Sequence, residues 1–167
     1  INVSLIYATF RASTPIIYAA LCAAITQQAN ILNVGTEGIM LMGAFMAVAI
    51  SYTTGSWILG VLAAMLSGMF MAWIIAIGHI RYKADNCAIG MGVNLLAVAL
   101  TKYLLNAILG QQGSFSDPKI IGIPKVHIPF LKNIPVLNDI FNDWSITEWF
   151  VIILVIAVWF VFYKTVW

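Results

Sequence analysis

The sequence predicts an all-α, polytopic membrane bundle with about five membrane segments, the first two short and separated by a break. Three observations carry that prediction. The 167 residues are 62% hydrophobic and 8% charged, with a mean hydropathy of +0.98. Soluble domains hold about 45–50% apolar and about 25% charged residues. The charges also collect at joints: residues 12–36, 38–78, 86–101, 103–116 and 149–163 carry none, counting His as neutral. Finally, the uncharged runs divide into pieces approaching the roughly 20 apolar residues that a helix needs to cross a 30 Å hydrocarbon layer.

The first segment runs from about Thr14 to Gln27, with Pro15 suited to a helix first turn. The second runs from about Gly38 to Tyr52. Between them lies QQANILNVGTEG, polar and glycine-bearing, which predicts an interruption and not one continuous helix. The third covers Trp57 to Gly78. In it Gly60, Ala64, Gly68, Ala72 and Ala76 recur every fourth residue, a stripe of small side chains along which a neighbouring backbone can pack closely. The fourth covers Asn86 to about Leu109 and the fifth Ile146 to Val166, with Glu148 and Lys164 at its ends. Tyr52, Trp57, Trp144 and Trp149 group toward one interface, and Tyr82, Tyr163 and Trp167 toward the other, as amphipathic rings prefer.

Two connections matter. HIRYKAD, residues 79–85, packs Arg81 and Lys83 into a short loop, which favours the cytoplasmic side. The full count of basic residues on the two sides is nearly even and does not decide orientation. Residues 110–145 form a long loop with Pro118, Pro124, Pro129 and Pro135 among Ile, Val, Phe and Leu. It is too apolar for simple disorder and reads as a packed lid or a docking surface. The chain opens on Ile1, shows no signal peptide, and ends just after a hydrophobic segment; it reads as one partial membrane domain over 1–167.

Several function classes lack their signatures. The net charge of +2 shows no basic, aromatic-interleaved patch for nucleic acid. His79 and His127 fall in different loops, and Asp117, Asp139 and Asp143 have no histidine or nucleophile turn beside them. No phosphate-binding loop of the Walker type occurs, which argues against the chain being itself an ATPase. Cys22 and Cys87 sit in apolar stretches without metal-ligand spacing and are expected to be free, buried thiols.

The polar residues inside the apolar runs are the candidates for function. Asn33, Thr36 and Glu37 lie in the interruption, where Gly35 and Gly38 allow tight backbone geometry. A broken helix is tolerated in a membrane where its freed backbone groups line a cavity or are buried in protein, and transporters use such breaks at substrate sites. Glu37 is equally well placed to complement the positive end of the second segment. On the fourth segment Gly90, Gly92 and Asn94 form a second small, polar patch, with Asn94 either lining a path or bonding a neighbouring helix. Lys102, later in that segment, reads as a snorkelling residue.

Taken together, RASTPIIYAALCAAITQQANILNVGTEGIMLMGAF, RYKADNCAIGMGVNLLAVALT, IPVLNDIF and WFVFYKTVW resemble permease subunits of bacterial ABC importers. The subgroup is the branched-chain amino acid/monosaccharide permease family, and its nucleoside and simple-sugar members look most similar. The resemblance covers nearly the whole chain through Asn33, Gly35, Glu37, Gly38 and Gly43, then Gly90 and Asn94. It implies a non-enzymatic transport subunit in the bacterial inner membrane, with residues 79–85 cytoplasmic and 110–145 external. The implied partners are ABC ATPase subunits that use ATP, a second permease subunit and an extracytoplasmic binding protein. No cofactor is implied for this chain. Asn33, Gly35, Glu37, Gly90 and Asn94 would border the path of a small polar solute, a nucleoside first and a simple sugar second. A membrane-embedded enzyme or an assembly protein is the alternative from another class.

Overall fold

Helix formation follows from the solvent that composition implies: in lipid every backbone polar group must find a partner within the protein. In the computed structural model, residues 3–110, 122–124 and 145–164 are described, and their regular elements are five helices. They are α1 (Val3–Gln28), α2 (Thr36–Thr54), α3 (Trp57–Ile80), α4 (Asn86–Leu109) and α5 (Ile146–Lys164). All five are long and apolar enough to cross a membrane. Most of the proline-rich stretch 110–145, with the acidic residues and His127 within it, lies outside the described residues.

The element boundaries differ from expectation mainly at the start. α1 begins at Val3, not near Thr14, and Pro15 lies inside it. An interior proline removes one helical hydrogen bond. Just before it, the Ser13 hydroxyl donates to the Thr9 carbonyl at 2.8 Å and the Thr14 hydroxyl to the Phe10 carbonyl at 3.1 Å. These hydroxyls bond the Thr9 and Phe10 carbonyls and not the Arg11 carbonyl that Pro15 leaves without its N–H; membrane helices tolerate such an interior proline, and α1 runs through it. The first two segments are therefore full spans: α2 alone, at 19 residues, extends about 28 Å.

Helix ends are chemically marked. α1 closes with Asn30 at φ +58°, while Ile31 N–H donates to Thr26 O at 3.1 Å and Asn30 N–H to Gln27 O at 2.9 Å. This paired arrangement around a left-handed residue is a Schellman stop. Gly55 (φ +65°) and Gly110 (φ +64°) end α2 and α4 in the same backbone region. α4 starts at Asp85, whose carboxylate accepts from Cys87 N–H at 2.8 Å and Ala88 N–H at 3.1 Å.

The chain divides into two compact units. In the first, made of Ile1–Cys22 and Ile123–Trp167, the Tyr18 hydroxyl donates to the Thr147 carbonyl at 2.8 Å. There Glu148 is buried and accepts from Ser145 N–H at 2.8 Å, closing the first turn of α5. The second unit, Ala23–Gly122, packs α2 against both α3 and α4, and α3 against α4. Its core is Met42, Met71, Ile75 and Val93, with Ala97 fully buried. The outward faces carry Leu62, Met65, Leu66, Met69, Phe70 and Trp73 exposed on α3, the pattern of a surface wetted by lipid.

Close packing of α2 on α3 comes from small residues. A side-chain carbon at Gly60 would stand 2.8 Å from the Ala47 carbonyl oxygen, and one at Gly68 would touch Ile39 at 3.5 Å. The Ala64 carbonyl oxygen faces Gly43 on the α2 side. Ala76 is half-buried and Ala72 is exposed. A four-residue step advances about 400° around a helix of 3.6 residues per turn, so the stripe drifts about 40° per step. By Ala72 it has turned about 120° from Gly60, which carries it off the α2 face.

Candidate functional site

The candidate site forms where the interruption between α1 and α2 lies on α4. Asn33 organises the interruption locally. Its side-chain oxygen accepts from Gly35 N–H at 3.1 Å, and its carbonyl accepts from the Thr36 hydroxyl at 3.0 Å. These bonds turn the chain into α2 at the point where helix N–H groups lack helical partners. Glu37 follows in the first turn of α2, where a carboxylate complements the positive helix end.

Asn94 joins this interruption to α4. Its side-chain oxygen accepts from Gly38 N–H at 2.7 Å, and its amide nitrogen donates to the Val34 carbonyl at 3.1 Å. One side chain thus satisfies a donor and an acceptor on either side of the α2 start, groups that lipid would leave unpaired. Both bonds bridge more than fifty residues of sequence.

Three glycines make the approach possible. A side-chain carbon at Gly90 would stand 2.9 Å from both Gly35 N and Val34 Cβ. One at Gly38 would stand 2.9 Å from Asn94 Cα and 3.0 Å from the Val93 carbonyl oxygen. One at Gly35 would meet Ile75 at 2.6 Å. Here absence of a side chain, and not conformational freedom, is what the site uses.

Beside this junction, Glu37, Gly38, Leu41, Asn94, Leu95 and Val98 line a pocket of about 260 Å³. Glu37 is exposed, whereas Asn33 and Asn94 are half-buried. The pocket combines a carboxylate and one face of a carboxamide with three aliphatic side chains. A carboxylate accepts hydrogen bonds and a carboxamide both donates and accepts. The pocket therefore suits a polar solute that also has an apolar face.

The structure brings Asn33, Gly35, Gly90 and Asn94 into one cluster and sets Glu37 at its edge. Gly92 faces open space. Sequence reasoning missed Val34 and Ile75, whose backbone carbonyl and side chain complete the junction; neither residue type carries a signal. Cys22 and Cys87 are not joined in a disulfide and both are exposed, contrary to the expected burial. Apolar neighbours in sequence do not imply an interior position when the outer surface is itself apolar. Among the described residues, no three His, Cys, Asp or Glu side chains gather as metal ligands.

The fold and junction define a multi-pass α-helical membrane protein with an interrupted entry into its second helix, packed through glycine and asparagine on its fourth. The chain belongs to the branched-chain amino acid transport system/permease component family, whose pattern matches residues 5–167. It is 34% identical over 161 residues to the nucleoside ABC transporter permease protein of Lactococcus lactis subsp. cremoris (strain MG1363), covering 92% of this chain and 50% of that protein. It is 32% identical over 166 residues to the guanosine ABC transporter permease protein of Bacillus subtilis (strain 168), covering 95% and 51%. A putative glucose ABC transporter permease protein of Haloferax volcanii is 28% identical over 165 residues, covering 96% and 48%. The chain thus spans about half the length of these relatives. No solved structure matches it.

Proposed function

We propose that this chain is part of the membrane-spanning permease of an ATP-driven importer, and that the α2–α4 junction borders the path of a nucleoside. The observation that carries this reading is the pocket beside the broken entry to α2, where Glu37 and Asn94 stand against Leu41, Leu95 and Val98. A nucleoside offers hydroxyl and N–H donors to a carboxylate and an apolar ring face to the aliphatic wall. The names of the two bacterial relatives point to the same solute class. A simple sugar is the second reading, favoured by the Haloferax relative's name.

In this reading ATP is hydrolysed by separate subunits, and the chain itself performs no covalent chemistry. A second permease subunit completes the path, and an extracytoplasmic binding protein delivers solute. The site is the bacterial cytoplasmic membrane, with residues 79–85 on the cytoplasmic side and 110–145 outside. The test is uptake of labelled nucleosides by cells carrying the intact permease, with and without its ATPase. We expect ATPase-dependent uptake, reduced in Glu37→Gln at unchanged membrane expression. Normal uptake in Glu37→Gln removes that residue from the path; sugar uptake without nucleoside uptake selects the second reading.

A further inference from the structure

We infer that Asn94 is a positioning residue, which holds the interruption before α2 and thereby sets Glu37 on the pocket. This rests on the reading of Glu37 as a path residue. Asn94 lines the pocket, yet its two polar atoms are already engaged: the oxygen by Gly38 N–H at 2.7 Å, the nitrogen by the Val34 carbonyl at 3.1 Å. Gly38 adjoins Glu37 directly in the chain. The shorter bond therefore ties α4 to the residue next to the carboxylate. The carboxamide keeps a second N–H and a second lone pair, but the two bonds it makes both go to the backbone on either side of Glu37. Glu37 is exposed on the same pocket.

The glycine contacts support the same assignment. Gly35 and Gly90 bring the two backbones together on one side of Asn94, and Gly38 sits against Asn94 Cα and the Val93 carbonyl on the other. Within this junction Asn94 bonds both backbone groups from one side chain. Its replacement leaves Gly38 N–H and Val34 O without that partner, so the start of α2 is freed while Glu37 itself stays intact.

The test uses the full-length permease assembled with its ATPase and binding protein, with KM and maximal rate per assembled complex measured for the transported nucleoside. Asn94→Leu, close in size but unable to form either bond, is expected to raise KM about two- to tenfold, the scale of a lost hydrogen bond. Asn94→Ala is the second variant if the leucine form does not assemble. In a Glu37→Gln background the same replacement should change KM less than twofold, because the group it positions is already gone. A purely structural role would instead lower assembly and maximal rate at constant KM, and that result overturns the inference.

A second readout needs no transport. With the permease's native cysteines, Cys22 and Cys87 among them, replaced by serine, Glu37→Cys is labelled with a water-soluble maleimide. Its labelling rate should change severalfold when Asn94 is replaced by Ala. An unchanged rate overturns the positioning role. A wild-type KM in Glu37→Gln instead overturns the path reading, so the two failures are distinguishable.

Discussion

Gly90→Ala tests the junction with a single added methyl group. The new carbon would lie 2.9 Å from Gly35 N and Val34 Cβ and 3.1 Å from Val34 C. Ordinary contact starts at 3.4 Å, so α4 and the interruption must separate by about 0.5 Å (3.4 minus 2.9). None of the three atoms is the end of a flexible side chain, and rotation cannot relieve the contact. The same separation stretches the Asn94 bonds from 2.7 and 3.1 Å to about 3.2 and 3.6 Å, the second beyond useful hydrogen-bond range. Overpacking costs about 1–3 kcal/mol, weakened interhelical bonds add about 0.6 kcal/mol each, and helix propensity returns about 1 kcal/mol. The net is a destabilisation of about 1–3 kcal/mol from these terms.

Gly92→Ala is the matched control, two residues away on the same helix. Its added carbon meets nothing within 4 Å, so it keeps the propensity gain of about 1 kcal/mol and the two variants should differ by about 2–4 kcal/mol. For chains of 150–250 residues that corresponds to a difference of roughly 4–16 °C in apparent Tm, and to less in a longer protein. The assay is thermal unfolding of the purified full-length protein in detergent, both variants at one scan rate because membrane proteins unfold irreversibly. If Gly90→Ala is as stable as Gly92→Ala, the close approach of α4 to the interruption is refuted.

Two further predictions concern the loop before α4. Asp85→Ala should destabilise the protein by about 0.5–2 kcal/mol through loss of the cap on Cys87 and Ala88 N–H groups, whereas Asp85→Ser should retain most of it; the two are compared in the same thermal assay. The exposed thiol of Cys87, two residues beyond the 79–85 loop, should be labelled by an impermeant maleimide in inside-out vesicles and spared in intact cells. The reverse pattern would place that loop outside.

The five spans were legible because membrane proteins concentrate charge at helix ends, and the polar joints remain visible without knowledge of packing. The misread start of α1 has a definite cause. Pro15 reads as a first-turn residue because it has no N–H to give a helix interior, whereas α1 begins at Val3 and runs through it, as membrane helices tolerate. The stripe on α3 was visible as a spacing, while its departure from the α2 face at Ala72 requires following the helix angle along its length. Burial of the cysteines was misjudged because hydropathy reports the solvent of a segment and not the side of the helix.

The junction was half legible for a related reason. Asparagine and glycine stand out in an apolar helix, so Gly90 and Asn94 could be singled out, as could Asn33, Gly35 and Glu37 in the interruption. Their partnership could not be read, since it depends on α2 and α4 packing side by side and runs through the Gly38 N–H and Val34 C=O groups. Backbone groups have no identity in a sequence; only the residue that serves them does. The same physics explains the placement of Glu37. An interrupted helix in lipid exposes unpaired N–H groups at its restart, and Asn33 and Asn94 partner two of them, Gly35 N–H and Gly38 N–H. With these bonds made inside the protein, the carboxylate of Glu37 is left exposed on the pocket at the positive end of α2. A helix restart held in this way sustains an exposed carboxylate in an otherwise uncharged stretch running from residue 12 to residue 78.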